Sequence, residues 1–208
     1  MGQFDFAKAE NLDERTPSRG YVLRIDVSNL VPDYYTLVSL FSSSDARQYY
    51  FPKSDIHITV FEFVSSRPDF RKYEGNIHLF KKVTERVLSD FGRFEIELVG
   101  TVFTNSSGLV AGVDGGKLIE IRERLRKELK TVGIEPLERY RSISSHISFM
   151  AFRTKPKSEE HLLSLIEKTK EMNMGVIEVS TVELVEQDWY SREKNRKLIW
   201  KYKLGKIS

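Results

Sequence analysis

The chain has 208 residues, 40% hydrophobic, 12% aromatic and 30% charged, the composition of a globular domain large enough to bury a core. Its 33 basic and 30 acidic residues leave a net charge of +3, too little for sequence-independent gripping of duplex DNA, which draws on many phosphate contacts. The absence of cysteine excludes disulfides, thiol nucleophiles and cysteine-bound zinc. No apolar run reaches membrane-spanning length, and the first twenty residues lack the basic-then-apolar layout of a secretory signal, so a cytoplasmic protein with no membrane partner is expected, taken as a monomer.

Residues 1–20 are polar and turn-rich, ending in Pro17, Ser18 and Gly20, and read as a surface lead-in. Residues 21–208 read as one domain. Residues 21–27 form the first expected strand. After Pro32, Tyr34, Leu37, Val38 and Phe41 recur at helical spacing until Ser42, Ser43 and Ser44 break the pattern. A second strand is expected over about 55–64. Beyond the Arg67-Pro68-Asp69 loop, Ile77, Phe80, Val83, Val87 and Phe91 mark an amphipathic helix stopping near Gly92. Strands over 94–103 and 108–113 are joined by Asn105-Ser106-Ser107-Gly108, a hairpin turn. Asp114-Gly115-Gly116 then opens a helix carrying Leu118, Ile121, Leu125 and Leu129 on one stripe, with Gly133 as its stop. A loop with Pro136, Arg139 and Arg141 leads into a strand over 145–153. Pro156 and Ser158 open a last helix, with Gly175 as its stop. A long strand over 176–190 and a final one over 198–204 close the chain.

Two of these strands say nearly the same thing. His57-Ile58-Thr59 stands in HITVFEF and His146-Ile147-Ser148 in HISFMAF. Side chains two apart in a strand share a face, so each run presents one imidazole with one hydroxyl and turns Ile58 and Val60, or Ile147 and Phe149, the other way. In each half the order is histidine strand, helix, glycine, strand, which suggests two related lobes. A single His-x-Thr in a strand carries little weight, because most such histidines are half-buried strand residues. The duplication in matching context is what points to a site.

Paired histidines suit acid–base chemistry on a phosphodiester. An imidazole titrates near neutrality, so one ring can take a proton from water while the other gives one to a leaving ribose oxygen. Thr59 and Ser148 would donate hydrogen bonds to the non-bridging oxygens. One neutral and one charged ring would give a bell-shaped pH profile. HExxH is absent and the carboxylates show no ligand-like spacing, so neither metal nor other cofactor is expected. His78 and His161 fall on helices and read as surface residues. Asp114-Gly115-Gly116-Lys117 resembles a phosphate cradle, but an N-capped helix start explains it. The run Arg122-Glu123-Arg124-Leu125-Arg126-Lys127-Glu128 reads as the solvated face of a helix. Trp189 and Tyr190 could stack on a base, and Arg139, Arg141 or Lys155 could neutralise substrate charge. Arg153, an odd seven residues after His146, should face away from it.

From about residue 21 to 204 the chain resembles the 2H phosphoesterase superfamily, named for two His-x-Thr/Ser motifs. The resemblance rests on both motifs, the helix-then-strand order after each, and the closing Val182-Glu183-Leu184-Val185-Glu186 strand with its final partner. It implies an α+β, bilobal, pseudo-twofold fold with antiparallel sheets lining a central cleft and helices outside. It further implies catalytic roles for His57, Thr59, His146 and Ser148, and metal-independent work. The expected activity is a phosphodiesterase acting on a 2′,3′-cyclic phosphate or a 2′-5′ linkage in a nucleotide or short RNA. An RNA-end ligase or exonuclease using the same site, or an inactive nucleotide- or RNA-binding module, is the alternative. The second hydroxyl is Ser rather than the commoner Thr, and the arginine some members carry after the second motif has no match on the same face.

Overall fold

The computed structural model describes residues 4–5, 18–31 and 33–205. In chain order the elements are β1 (Arg19–Asp26), α1 (Tyr34–Ser44), β2 (Tyr49–Tyr50), β3 (His57–Arg67), α2 (Ile77–Leu88), β4 (Phe94–Phe103) and β5 (Ser107–Val113). They are followed by α3 (Lys117–Thr131), β6 (Ser145–Ala151), α4 (Glu159–Thr169), β7 (Asn173–Val179), β8 (Thr181–Asp188) and β9 (Lys197–Lys203).

The strands form one curled antiparallel half-barrel in the order β7-β4-β5-β6-β3-β1-β8-β9, with the short β2 on β6. The two motif strands lie side by side at its centre, yet they pair at a single position, Ile58 with Ile147. That contact joins two halves, β3-β1-β8-β9 and β6-β5-β4-β7. Alternation explains why it holds: Ile58 and Ile147 are fully buried on the helix side, as are Val60 and Phe149. Burying each such side chain stabilises by about 1.5–3 kcal/mol.

The helices cover the convex side in pairs, α1 against α4 and α2 against α3. Each pair seals an aromatic cluster. Phe41 of α1 packs 5.4 Å from Phe103 and 5.2 Å from Phe149. Phe80 of α2 stacks at 4.5 Å on Phe63. A buried Thr101–Thr169 hydrogen bond of 2.6 Å ties β4 to α4.

Several expectations shift in detail. The strand expected over 176–190 is two strands, β7 and β8, divided at Ser180. Helix α4 ends at Thr169, so Gly175 does not stop it. That glycine lies inside β7 opposite Leu98 at φ +95°, a backbone region that strains any residue with a Cβ. Gly133 follows the end of α3 at φ +75°, as a helix stop should. Ser42, Ser43 and Ser44 form the last turn of α1 rather than a break before it. Arg19 and Gly20, read as lead-in, already belong to β1, while residues 1–3 and 6–17 of that segment lie outside the described residues.

Candidate active site

The concave face of the half-barrel holds a cleft of about 470 Å³. All four motif side chains, His57, Thr59, His146 and Ser148, line it. Their arrangement follows from the register. With Ile58 opposite Ile147, His57 faces Ser148 across the strand pair and Thr59 faces His146. The histidines therefore occupy one diagonal and the hydroxyls the other. Both rings thus face one cleft from neighbouring strands.

His57 is held by its own chain. Its Nδ1 donates to the Asp55 carbonyl at 3.0 Å, which leaves Nε2 of the neutral ring as the free acceptor. The Asp55 side chain in turn accepts from the Glu193 amide at 2.9 Å, fastening the β8–β9 connection beside the site. Burial, and then the charge of Arg24, push the His57 pKa down to about 3, with smaller contributions from Arg196 and His146. Arg24 is itself fully buried. It sits opposite Thr59 on β1, donates to Ser191 Oγ at 2.6 Å and lies 3.2 Å from the Asp26 carboxylate. A cation fixed there disfavours a second positive charge on the neighbouring imidazole.

His146 has different surroundings. Its Nδ1 lies 3.1 Å from Ser144 Oγ, on a strand anchored through Asp114. The Asp114 carboxylate accepts from the Gly116 and Leu118 amides and from the Ser145 hydroxyl. The Asp-Gly-Gly turn is thus a helix start tied to β6, as its capping chemistry suggested, and not a phosphate cradle.

The run 122–128 departs from expectation at one residue. Arg122 is only 1% exposed. Its Nε donates to the Val60 carbonyl at 2.8 Å, and its Nη2 to the Thr59 and Ser144 carbonyls at 2.9 and 3.0 Å. Past Ile58 and Ile147 the two motif strands part, and the guanidinium replaces the missing rungs between them. A signal was present: Leu118, Arg122, Leu125 and Leu129 fall on one helical stripe, so the cation sits where an apolar residue belongs.

The other candidate binding residues divide. Arg139 and Trp189 both line the cleft, the guanidinium stacked 3.6 Å from the ring centroid. Arg141 points outward and pairs with Glu123, its side chain 65% exposed. Lys155 pairs with Glu159 at the start of α4 and is likewise outside the cleft lining. Tyr190 is a core residue, packed at 4.8 Å on Tyr49 and 5.7 Å on Phe51. A sharp turn follows β8, where Asp188 accepts from the Tyr190 and Arg192 amides, so consecutive aromatics part company. Arg153, exposed beyond the end of β6, is not part of the lining. His78 and His161 are exposed. Sequence reasoning missed Glu62, Tyr140 and Gln187, which also line the cleft.

No family model and no curated protein matches the sequence. Solved structures do match. TT0787 of Thermus thermophilus aligns over 91% of this chain and 100% of its own at TM-score 0.62 and 14% identity. E. coli LigT, solved with NADP+, aligns over 90% and 98% at TM-score 0.57 and 11% identity. It has also been solved with 3′-AMP, ATP and phosphate. A phosphoesterase structure aligns over 91% and 99% at TM-score 0.54 and 12% identity. The half-barrel, its outer helices and the central pair of motif strands therefore constitute a 2H phosphoesterase-like fold, shared with these proteins along nearly the whole chain.

Proposed function

We propose that this chain is a phosphoesterase of the 2H type, hydrolysing a 2′,3′-cyclic phosphate or a 2′-5′ phosphodiester in a nucleotide or short RNA. One observation carries the reading: two imidazoles and two hydroxyls alternate around the Ile58–Ile147 pair on the floor of a single cleft. The nucleotide-bound LigT structures support a nucleotide as the occupant.

The electrostatics favour one assignment of roles. His57 is assigned as the base because its Nδ1 donates to the Asp55 carbonyl and leaves Nε2 as an acceptor facing the cleft, and burial with the charge of Arg24 keeps that ring unprotonated. Its Nε2 takes a proton from water as the water oxygen bonds to phosphorus. The bond from phosphorus to one ribose oxygen breaks, and that oxygen receives its proton from His146. Thr59 and Ser148 donate to the non-bridging oxygens, where charge accumulates. Arg139 stacked on Trp189 offers a flat cationic surface for a base.

The test is a screen of the purified protein, with EDTA present, against the four 2′,3′-cyclic nucleotides and a 2′-5′ oligoadenylate. Release of a phosphomonoester from at least one is expected. Tight binding with no product at saturating protein would replace this reading with that of a binding module.

A further inference from the structure

Within the proposed role, which supplies a nucleotide to the cleft, Glu62 is a titratable cleft residue that the chemistry leaves unused. Its position is produced by irregular backbone. On β3 the alternation set by His57 and Thr59 would send Phe61 to the cleft and Glu62 to the core. Instead Val60 and Phe61 are both buried and Glu62 faces the cleft. The register explains it. Arg24 opposes Thr59 while Leu23 opposes Phe61, so Val60 is an extra residue. Val22 opposes Glu62 while Tyr21 opposes Val64, so Phe63 is a second. Two bulges bracket one carboxylate and turn it inward, the use to which bulges near sites are put.

The carboxylate is held by a backbone amide, with the charge of Arg139 acting on it from farther off. Glu62 Oε2 accepts from the Arg139 amide at 3.2 Å, whereas the Arg139 guanidinium lies on the Trp189 ring. Among the described residues no ion pair involves Glu62, and burial pushes its pKa up. Such a group would repel a phosphate, so it is misplaced for binding one. It is well placed to accept N–H donors from whatever stacks on the neighbouring Arg139–Trp189 platform. The other arm of the cleft, around Thr104, Ser106 and Ser107, presents hydroxyls instead.

We infer that Glu62, beside the Arg139–Trp189 stack, reads the nucleobase and selects guanine. Guanine sets a ring N–H next to an exocyclic amine, two donors matching the two oxygens of a carboxylate. Adenine and cytosine place an acceptor nitrogen beside the amine. Uracil flanks its one N–H with carbonyls that the carboxylate repels. A matched two-point contact discriminates by about 10- to 100-fold.

Calorimetric titration with guanosine, adenosine, cytidine and uridine 3′-monophosphates tests this, alongside turnover of the four 2′,3′-cyclic nucleotides. In the wild type, guanosine should bind about 10- to 100-fold tighter than uridine. Glu62→Gln should bring that ratio to within about threefold, mainly by weakening guanosine. Equal binding of the four bases by the wild type, or no binding of any, overturns the inference without recourse to a variant. So does a Glu62→Gln protein that weakens all four alike. Base preference without turnover would sink the phosphoesterase reading and keep this site, whereas turnover without preference would do the reverse.

Discussion

The two halves of the half-barrel offer the same strand with the same His-x-hydroxyl pair, and then treat the histidine differently. In the β3 half, His57 is clamped to the Asp55 carbonyl and stands beside a buried arginine. In the β6 half, His146 meets the small hydroxyl of Ser144. Duplication alone would give two equivalent bases. A reaction that moves one proton in and another out needs inequality, and the elements around the strands supply it. The largest expected effect breaks both sides of this comparison: His57→Ala and His146→Ala should each lower turnover by about 10²- to 10⁴-fold without unfolding the protein. Full activity in both variants would end the assignment. The pH profile sharpens it further. The symmetric reading of the motifs implied a bell between pH 5 and 8, but a His57 pKa near 3 moves the acidic limb out of that range. A single falling limb at the alkaline side, where the proton donor is lost, is expected instead. An acidic limb near pH 6 that vanishes in His57→Gln would contradict the assigned roles.

A second contrast lies along the seam itself. At Ile58 and Ile147 the halves are joined by strand pairing, and a residue or two further on by the Arg122 guanidinium. Arg122→Met keeps the length and removes the donors, leaving the carbonyls of buried Val60, half-buried Thr59 and exposed Ser144 without them. A buried group left unsatisfied costs about 1–3 kcal/mol, so with the Val60 carbonyl buried, urea melts should show a loss of about 1–3 kcal/mol. An exposed neighbour on the same helix, such as Arg124 with its Glu120 and Asp90 partners, should cost under about 1 kcal/mol when changed to Met. Equal effects from both would mean that the seam does not depend on the guanidinium.

How far the sequence revealed this molecule tracks periodicity. Long stretches with one clean period were readable: the stripe of α2, the β4–β5 hairpin, and above all the duplicated motif that brought positions 57 and 146 into one cleft. What stayed hidden broke a period. Glu62 reaches the cleft through a bulge at Val60 that no residue type announces, because valine and phenylalanine suit a regular strand equally well. Arg122 was masked by the charges around it, although its place on the apolar stripe marked it. Trp189 and Tyr190 looked alike as neighbours, and only the turn fixed by Asp188 separates a cleft residue from a core one. Loop cations were indistinguishable because a loop has no period to read.

The contrast between the histidines also has a thermodynamic face, smaller than the catalytic one. In an unfolded chain an imidazole binds its proton near pH 6.5, whereas folded His57 binds one only near pH 3. Between those values the unfolded state holds more protons. Stability contributed by keeping the ring neutral is therefore complete above about pH 6.5 and declines as pH falls toward 3, by about 1.4 kcal/mol per unit. Unfolding free energies measured across that window should show the slope, and His57→Gln should remove it. A slope unchanged in the variant would assign the acid sensitivity to other groups.

The smallest effect separates the three loop cations that the sequence could not rank. Arg141 and Lys155 are exposed and engaged with Glu123 and Glu159 on neighbouring helices, and exposed pairs of this kind contribute at most about 1 kcal/mol. Neither lines the cleft. Arg141→Ala and Lys155→Ala should therefore leave KM within about twofold of wild type and stability within about 1 kcal/mol. Arg139 differs because its guanidinium lies on Trp189 inside the cleft, so Arg139→Ala should raise KM for a nucleotide by about tenfold while leaving kcat nearly unchanged, as expected for loss of one stacking contact. If Arg141→Ala or Lys155→Ala produced the larger rise, substrate would have to extend well beyond the cleft, onto the outer surface where those two ion pairs stand.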